Sequence, residues 1–346
     1  MKKIGLGTDF HYGNEKDNIR IIKTAIDLGV SFIDTAEAYS NGESERVVGK
    51  AVVNTRDKVF ISTKFSPINS SYNKIIRSCE NSLQRLKTDR IDLFQVHWPY
   101  PNSNHEIAKA FYFLKKSGKI INYGVSNYGK SDLFELTTLV DGLFSNQVEY
   151  NLFDKYIENQ ILNFCNDKSI KIIAYSPLNK GREILNNKTV RMLSRKYDRF
   201  PSEILLNWLI NKKDIIVIPK TNKIKNLILN CKSDNFIMDP HDYTVLDKDR
   251  KKTHNVEPIK IIVSHEGENN RKVYTKIEQA KENKLNLCPS PIELSHTIDS
   301  SIKPVRLLKN KDKFFLVEGR VRYWAWVLKY GFHKPIPSLI YKEFKK

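Results

Sequence analysis

From its first residues to about residue 231 the chain repeats one pattern: a short apolar run, a turn, an amphipathic stretch, then the next apolar run. Eight runs read as strands: Ile4–Thr8, Ser31–Asp34, Val59–Lys64, Ile91–His97, Ile120–Val125, Phe144–Glu149, Lys171–Tyr175 and Ile215–Ile218. Helical spacing lies between them in Asp17–Leu28, Glu43–Val53, Tyr72–Leu86, Asn104–Ser117 and Ser131–Val140. Two more helices follow the seventh strand, and Asn222–Cys231 closes the series. Strands alternating with helices pair in parallel, because each helix carries the chain back to the same end of the sheet. Eight such units fit a (β/α)8 TIM barrel, whose chemistry sits at the carboxyl ends of the strands. A doubly wound open sheet is the alternative, but the turn Gly5–Gly13 lacks a dinucleotide-binding fingerprint.

The pattern breaks after the eighth strand. Asn235–Val256 is charged and loses regular apolar spacing, and a new strand is expected at Ile259–Val263. We therefore expect a barrel over residues 1–255 and a small α+β domain over 257–346. That second domain holds a polar helix at Arg271–Lys284 and a turn at Cys288–Pro291. It then runs strand (Val305–Lys309), charged turn, strand (Phe314–Val317), helix (Val321–Tyr330), strand (Ser338–Tyr341).

Composition excludes several classes. No apolar run is long enough to cross a bilayer or to make a signal peptide, so a cytoplasmic protein without membrane partners is expected. Cys79, Cys165, Cys231 and Cys288 are scattered, which argues against a disulfide framework and against a metal site. The net charge of +19 raises nucleic acid as a partner. The excess is spread, however, with 36 Lys+Arg against 25 Asp+Glu before Asp239 and 22 against 14 from it onward. A diffuse excess is a solvated surface rather than a polyanion footprint.

The barrel rule selects candidate residues. Asp34, Lys64 and His97 close the second, third and fourth strands, and Tyr39 lies in the loop after the second. Taken singly, each has an ordinary structural reading as an ion pair, a satisfied polar group or packing. At one barrel mouth they make a proton-transfer set: a lysine beside a phenol is expected to lower its pKa, and an aspartate keeps the lysine charged. The phenol could then protonate a carbonyl oxygen that the histidine orients. Such a set suits hydride transfer, which needs a donor the protein does not contain, so a nicotinamide cofactor is implied.

The motifs FIDTAEAY with GESE, ISTKF, IDLFQVHWP, GVSNY, NQVEYN, AYSPL and IPKTN occur in that order, and this series resembles the aldo/keto reductase family over residues 1 to about 255. The resemblance implies Tyr39 as general acid, Asp34 and Lys64 as its support, and His97 as the group that orients a small-molecule carbonyl substrate. It implies Ser126, Asn127 and Gln147 on the nicotinamide carboxamide and Tyr175 stacked on its ring. Thr8, Ser176, Leu178, Lys220, Thr221 and Asn230 would line the rest of the dinucleotide. Asn226 stands where many NADP-using members carry arginine, but Lys220 still offers a charge to a 2′-phosphate. NADPH is therefore favoured, with NADH as the alternative.

Residues 314–341 resemble the ParB/sulfiredoxin-like fold, with Ile298–Leu308 supplying a preceding strand pair. The resemblance implies a phosphate or nucleotide at Gly319, Arg320 and Arg322, where a helix begins. The leading expectation is an NADPH-dependent carbonyl reductase acting on a sugar or on a phosphate- or nucleotide-linked metabolite. Alternatives are a redox-sensing regulatory or nucleic-acid-binding protein, or a bifunctional reductase with nucleotide-dependent kinase or nucleotidase activity.

Overall fold

The structure is a computed structural model that describes residues 2–10, 14–181, 183–249, 253–264, 274–285, 287, 289–299 and 302–341. The chain divides into two compact units, the first built from Met1–Pro99 and Ser103–Arg250, the second from Tyr100–Asn102 and Lys251–Lys346.

In the first unit the chain runs β1 (Leu6–Gly7), α1 (Glu15–Asp27), β2 (Phe32–Asp34), α2 (Glu43–Val52), β3 (Phe60–Phe65), α3 (Tyr72–Leu86), β4 (Ile91–Val96) and α4 (Asn104–Lys116). It continues β5 (Ile120–Ser126), α5 (Lys130–Leu139), β6 (Ser145–Glu149), α6 (Ile161–Asp167), β7 (Lys171–Tyr175), α7 (Lys188–Lys196), α8 (Pro201–Ile210), β8 (Ile215–Val217), α9 (Ile224–Cys231) and α10 (Pro240–Lys248). The strands pair in chain order, all parallel. The circle is completed where Ile4 bridges Val217, with Gly5 N donating to Val217 O at 2.8 Å and Val217 N to Lys3 O at 2.8 Å. This is the parallel eight-stranded barrel expected from the alternation.

Side chains alternate along a strand, so every second residue faces the barrel axis. The inward set changes character from end to end. At the amino ends Phe32, Leu93, Ile173 and Ile216 form an apolar cluster with Phe60 and Phe144 packed against it. One layer up, Gln95 Nε2 donates to Ser62 Oγ at 2.9 Å and Ser145 Oγ to Gln95 Oε1 at 3.1 Å. Gly124 is required beside this layer, since a Cβ there would lie 2.6 Å from Ser145 Oγ. The carboxyl ends then present Asp34, Lys64 and Gln147, all buried. An apolar floor below and a polar layer above leave the charged groups at one mouth.

Helices α6 and α10 were not anticipated. In α6 only Ile161 and Cys165 are buried, and in α10 only Asp242 and Leu246, so each is too short to show a persistent apolar stripe.

The second unit is α+β. It contains β9 (Thr253–Val256), β10 (Ile261–Ile262), α11 (Ile277–Lys281), α12 (Pro291–Thr297), β11 (Val305–Asn310), β12 (Lys313–Glu318), α13 (Arg320–Tyr330) and β13 (Ile336–Tyr341). Its mixed sheet has the order β10-β12-β11-β13-β9. β11 and β12 form an antiparallel hairpin, and β11 pairs in parallel with β13, which follows α13. Trp324 and Trp326 are buried and donate to Tyr274 O at 3.0 Å and Lys334 O at 2.9 Å, as packing residues with satisfied indoles do.

Several details differ from expectation. The sheet takes in Thr253–Val256, which the sequence reading gave to the first domain; three of its four residues are exposed at the sheet edge, so no alternation betrays it. Ile259–Val263 is a 3-10 turn over Pro258–Lys260 followed by two strand residues. Among the described residues of Ile298–Leu308, where a strand pair was expected, there is one strand, β11, and Ile298 caps α12. The polar helix reaches only Ile277–Lys281; Arg271 lies outside the described residues, as does Cys288, and Pro291 opens α12.

Candidate active site

Each of the four central residues is fixed by local structure. Asp34 is the last residue of β2 and Lys64 the penultimate residue of β3; His97 directly follows β4, where its N–H donates to Phe65 O at 3.1 Å. Tyr39 opens a 3-10 turn, Tyr39–Gly42, in which Ser40, Asn41 and Gly42 have φ of 49°, 53° and 84°. Two non-glycine residues in the left-handed region are strained, and such strain gathers where a side chain must be aimed. The turn hands the chain directly to α2. Here the GESE motif is structural: Ser44 Oγ donates to Thr8 O at 2.5 Å, and fully buried Glu45 accepts from Thr63 Oγ1 at 2.5 Å and Arg85 Nε at 2.5 Å.

The Lys64 ammonium has no solvent exposure. It donates to Asp34 Oδ2 at 2.8 Å and Thr35 O at 2.7 Å, and its third neighbour is the Tyr39 hydroxyl at 3.5 Å. The other Asp34 oxygen accepts from Gln147 Nε2 at 2.8 Å and Ser62 Oγ at 3.1 Å. Across from them the His97 ring meets the Tyr39 ring edge-on, with centroids 5.6 Å apart. The structure thus brings the four together.

The electrostatics correct one expectation. Burial, then the charges of Asp34 and Asp9, push the Tyr39 phenol well above its usual range rather than below it. Desolvation lowers the Lys64 pKa, opposed by Asp34. His97 is held well below the ordinary histidine value by burial and then by Lys64. The site therefore contains a neutral imidazole and a phenol that keeps its proton.

These groups open into a cavity of about 800 Å³. Of the fourteen barrel positions singled out in the sequence, thirteen line it: Thr8, Asp34, Tyr39, His97, Ser126, Asn127, Gln147, Tyr175, Ser176, Leu178, Lys220, Thr221 and Asn230. Lys64 lies behind the wall. Asn127 Oδ1 accepts from Tyr175 OH at 2.9 Å while its amide donates to His97 O at 3.1 Å, tying β5, β7 and β4 together at the mouth. Asn127 and Ser176 are left-handed, with φ of 61° and 48°. Exposed Lys220 also lines the cavity and donates to Asp9 O at 2.6 Å. Sequence reading missed Asp9, Trp98, Pro177, Leu185 and Ser202 on the wall. Three of these immediately follow a residue already singled out, so adjacency to a strand end was the available signal.

In the second unit Gly319, with φ of 95°, is the N-cap of α13. The Arg320 guanidinium donates to Val317 O at 3.0 Å and Leu316 O at 3.2 Å, so it is engaged by the carbonyls that end β12. Arg322 packs over Gly319, where a Cβ would lie 2.7 Å from its Nη2. Among the described residues no cluster of His, Cys, Asp and Glu could hold a metal ion, and no helix is long and apolar enough to cross a membrane.

A parallel barrel with an aspartate, lysine, tyrosine and histidine around one deep cavity defines a class of barrel enzyme suited to proton transfer. The sequence model of the Aldo/keto reductase family matches residues 3–250, and the chain belongs to that family. It is an NAD(P)H-dependent oxidoreductase. Methylglyoxal reductase YeaE of Escherichia coli (strain K12) is 33% identical over 258 residues, covering 72% of this chain and 90% of that protein. Glyoxal reductase of Bacillus subtilis (strain 168) is 30% identical over 250 residues, covering 71% and 88%. Among solved structures, an aldo/keto reductase from Klebsiella pneumoniae in complex with NADP and acetate superposes with a TM-score of 0.69 at 30% identity, covering 72% of this chain and 91% of that one.

Proposed function

We propose that this chain reduces an aldehyde or ketone to an alcohol with NADPH, using Tyr39 as the proton donor. The observation that carries the reading is the Tyr39 hydroxyl 3.5 Å from a fully buried Lys64 ammonium that is itself held by Asp34. The cavity fits the cofactor: about 800 Å³ in volume, it is lined by Tyr39 and His97 together with the exposed Lys220 side chain, and the buried His97 Nδ1 has no hydrogen-bond partner. When bound, the reduced nicotinamide supplies the hydride.

The chain's own residues do the rest. Neutral His97 orients the carbonyl oxygen, and Tyr39 gives that oxygen its proton as negative charge develops there. Lys64 stabilises the phenolate left behind, and Asp34 keeps the ammonium in place through an interaction strengthened by burial. Ser126, Asn127, Gln147 and Tyr175 would hold the nicotinamide. Lys220 would meet the 2′-phosphate, while Thr8, Ser176, Leu178, Thr221 and Asn230 would line the remainder.

The relatives named for methylglyoxal and glyoxal reduction, and the NADP-bound Klebsiella structure, support this reading. Fluorescence titration tests the cofactor assignment. NADPH should bind tighter than NADH, and Lys220→Ala should weaken NADPH by about 10- to 100-fold, the scale of a lost charge-assisted hydrogen bond, with NADH unchanged. Equal losses for both cofactors would remove Lys220 from the 2′-phosphate.

A further inference from the structure

Beneath the reacting groups the barrel interior carries a hydrogen-bonded chain that the mechanism above does not use. It runs from Ser145 on β6 through Gln95 on β4 to Ser62 on β3, and ends on Asp34. All three of these residues are fully buried. Chemistry fixes the direction of the chain. The Asp34 carboxylate, ion-paired with Lys64, only accepts, so the one Ser62 hydroxyl proton points to Asp34 Oδ1, at 3.1 Å. Ser62 Oγ then accepts from Gln95 Nε2 at 2.9 Å, which leaves Gln95 Oε1 to accept from Ser145 Oγ at 3.1 Å. With the Gln95 amide reversed, its oxygen would compete for the Ser62 proton, and Asp34 Oδ1 would lose Ser62 and keep Gln147 Nε2, at 2.8 Å. Gly124, the neighbour of Gln95 in the sheet register, makes room for the chain: a Cβ there would lie 2.6 Å from Ser145 Oγ and 3.2 Å from Gln95 Oε1.

The geometry points to Gln95 as a positioning residue for the reaction: its amide aims the Ser62 hydroxyl at Asp34 and so fixes the carboxylate that holds Lys64 beside Tyr39. The inference rests on the carbonyl reductase reading above and adds to it a residue that acts through another. Asp34 Oδ2 meets Lys64 at 2.8 Å while Oδ1 is held by Ser62 and Gln147, so the carboxylate cannot turn without breaking hydrogen bonds. The Lys64 contact with the Tyr39 hydroxyl is already long, at 3.5 Å, so a small displacement of the ammonium is felt at the phenol. Hydrogen bonds in a buried chain polarise one another, and losing the Gln95 link therefore weakens the Ser62 bond to Asp34 as well.

The test is single-turnover reduction of benzaldehyde by the NADPH-loaded full chain in wild type, Gln95→Met, Ser145→Ala, Ser62→Ala and the double variant Gln95→Met/Ser62→Ala. Methionine keeps the length of glutamine without its polar atoms. Ser62→Ala should slow the step by about tenfold and Gln95→Met by about three- to tenfold, the scale of one hydrogen bond to or beside a charged group. NADPH affinity should stay within about twofold of wild type in each. The double variant should be no slower than Ser62→Ala alone, because Gln95 acts through the hydroxyl that is then missing. Ser145→Ala, which frees the amide to reverse, should slow the step by about threefold and carries the test if Gln95→Met does not fold. A wild-type rate in Gln95→Met, or in Ser145→Ala where it stands in, would overturn the assignment. So would a loss of NADPH affinity in step with the rate, or a double variant slowed by the product of the single losses, since a merely structural role gives both. Full turnover by Tyr39→Phe would instead overturn the reading beneath it, so the two failures are distinguishable.

Discussion

Replacing Lys64 by methionine is the most informative test of how the barrel mouth is held together. The ammonium has three partners, Asp34 Oδ2 at 2.8 Å, Thr35 O at 2.7 Å and Tyr39 OH at 3.5 Å, and none of it reaches solvent. Methionine keeps the bulk and removes the charge, leaving the Asp34 carboxylate buried without its cation. Breaking one side of a buried pair costs about 3–5 kcal/mol, mostly the penalty on the partner left behind. Asp34 keeps Ser62 and Gln147 as donors, so we expect the lower end, about 3 kcal/mol. The double variant Asp34→Asn/Lys64→Met removes both charges and should be more stable than the sum of the single losses by about 2 kcal/mol. Because two compact units need not unfold together, urea unfolding should be followed by amide hydrogen exchange in β2 and β3, which reports the barrel alone. A single-variant loss below about 1 kcal/mol, or strict additivity, would refute the view that the pair is a tightly coupled buried unit.

Two further outcomes follow from the same geometry. His97 is held below the histidine value of 6.5, so the unfolded chain binds its proton first as pH falls. Wild type should therefore lose stability as pH drops below 6.5 toward the folded pKa, and His97→Gln should flatten that part of the curve in denaturant titrations. Gly42→Ala places a side chain at φ 84° and a Cβ 2.6 Å from Arg85 Cδ, beside the Tyr39 turn. It should cost about 1–2 kcal/mol in thermal unfolding and lower kcat more than it weakens NADPH binding.

Much of the fold was legible because barrel strands have to be apolar and barrel helices amphipathic, and that alternation is local. The polar ends of β2, β3 and β4 stood out for the same reason: Asp34, Lys64 and His97 interrupt apolar runs where the fold puts its mouth. Elements that bury little were illegible. Exposed edge strand β9 and the short helices α6 and α10 leave no period in the sequence. The direction of the Tyr39 shift was also hidden, since it depends on depth and on Asp9 arriving from another turn, neither of which spacing records. In the second unit the helix at Gly319 was visible, yet the engagement of Arg320 with the carbonyls of its own strand was not.

The most direct measurement is single-turnover reduction of a neutral aldehyde by NADPH-loaded Tyr39→Phe. If Tyr39 is the proton donor, the hydride-transfer rate should fall by about 10²- to 10⁴-fold while NADPH affinity stays within about twofold of wild type. Retention of the wild-type rate would contradict the account, because the phenol 3.5 Å from Lys64 would then not be the acid.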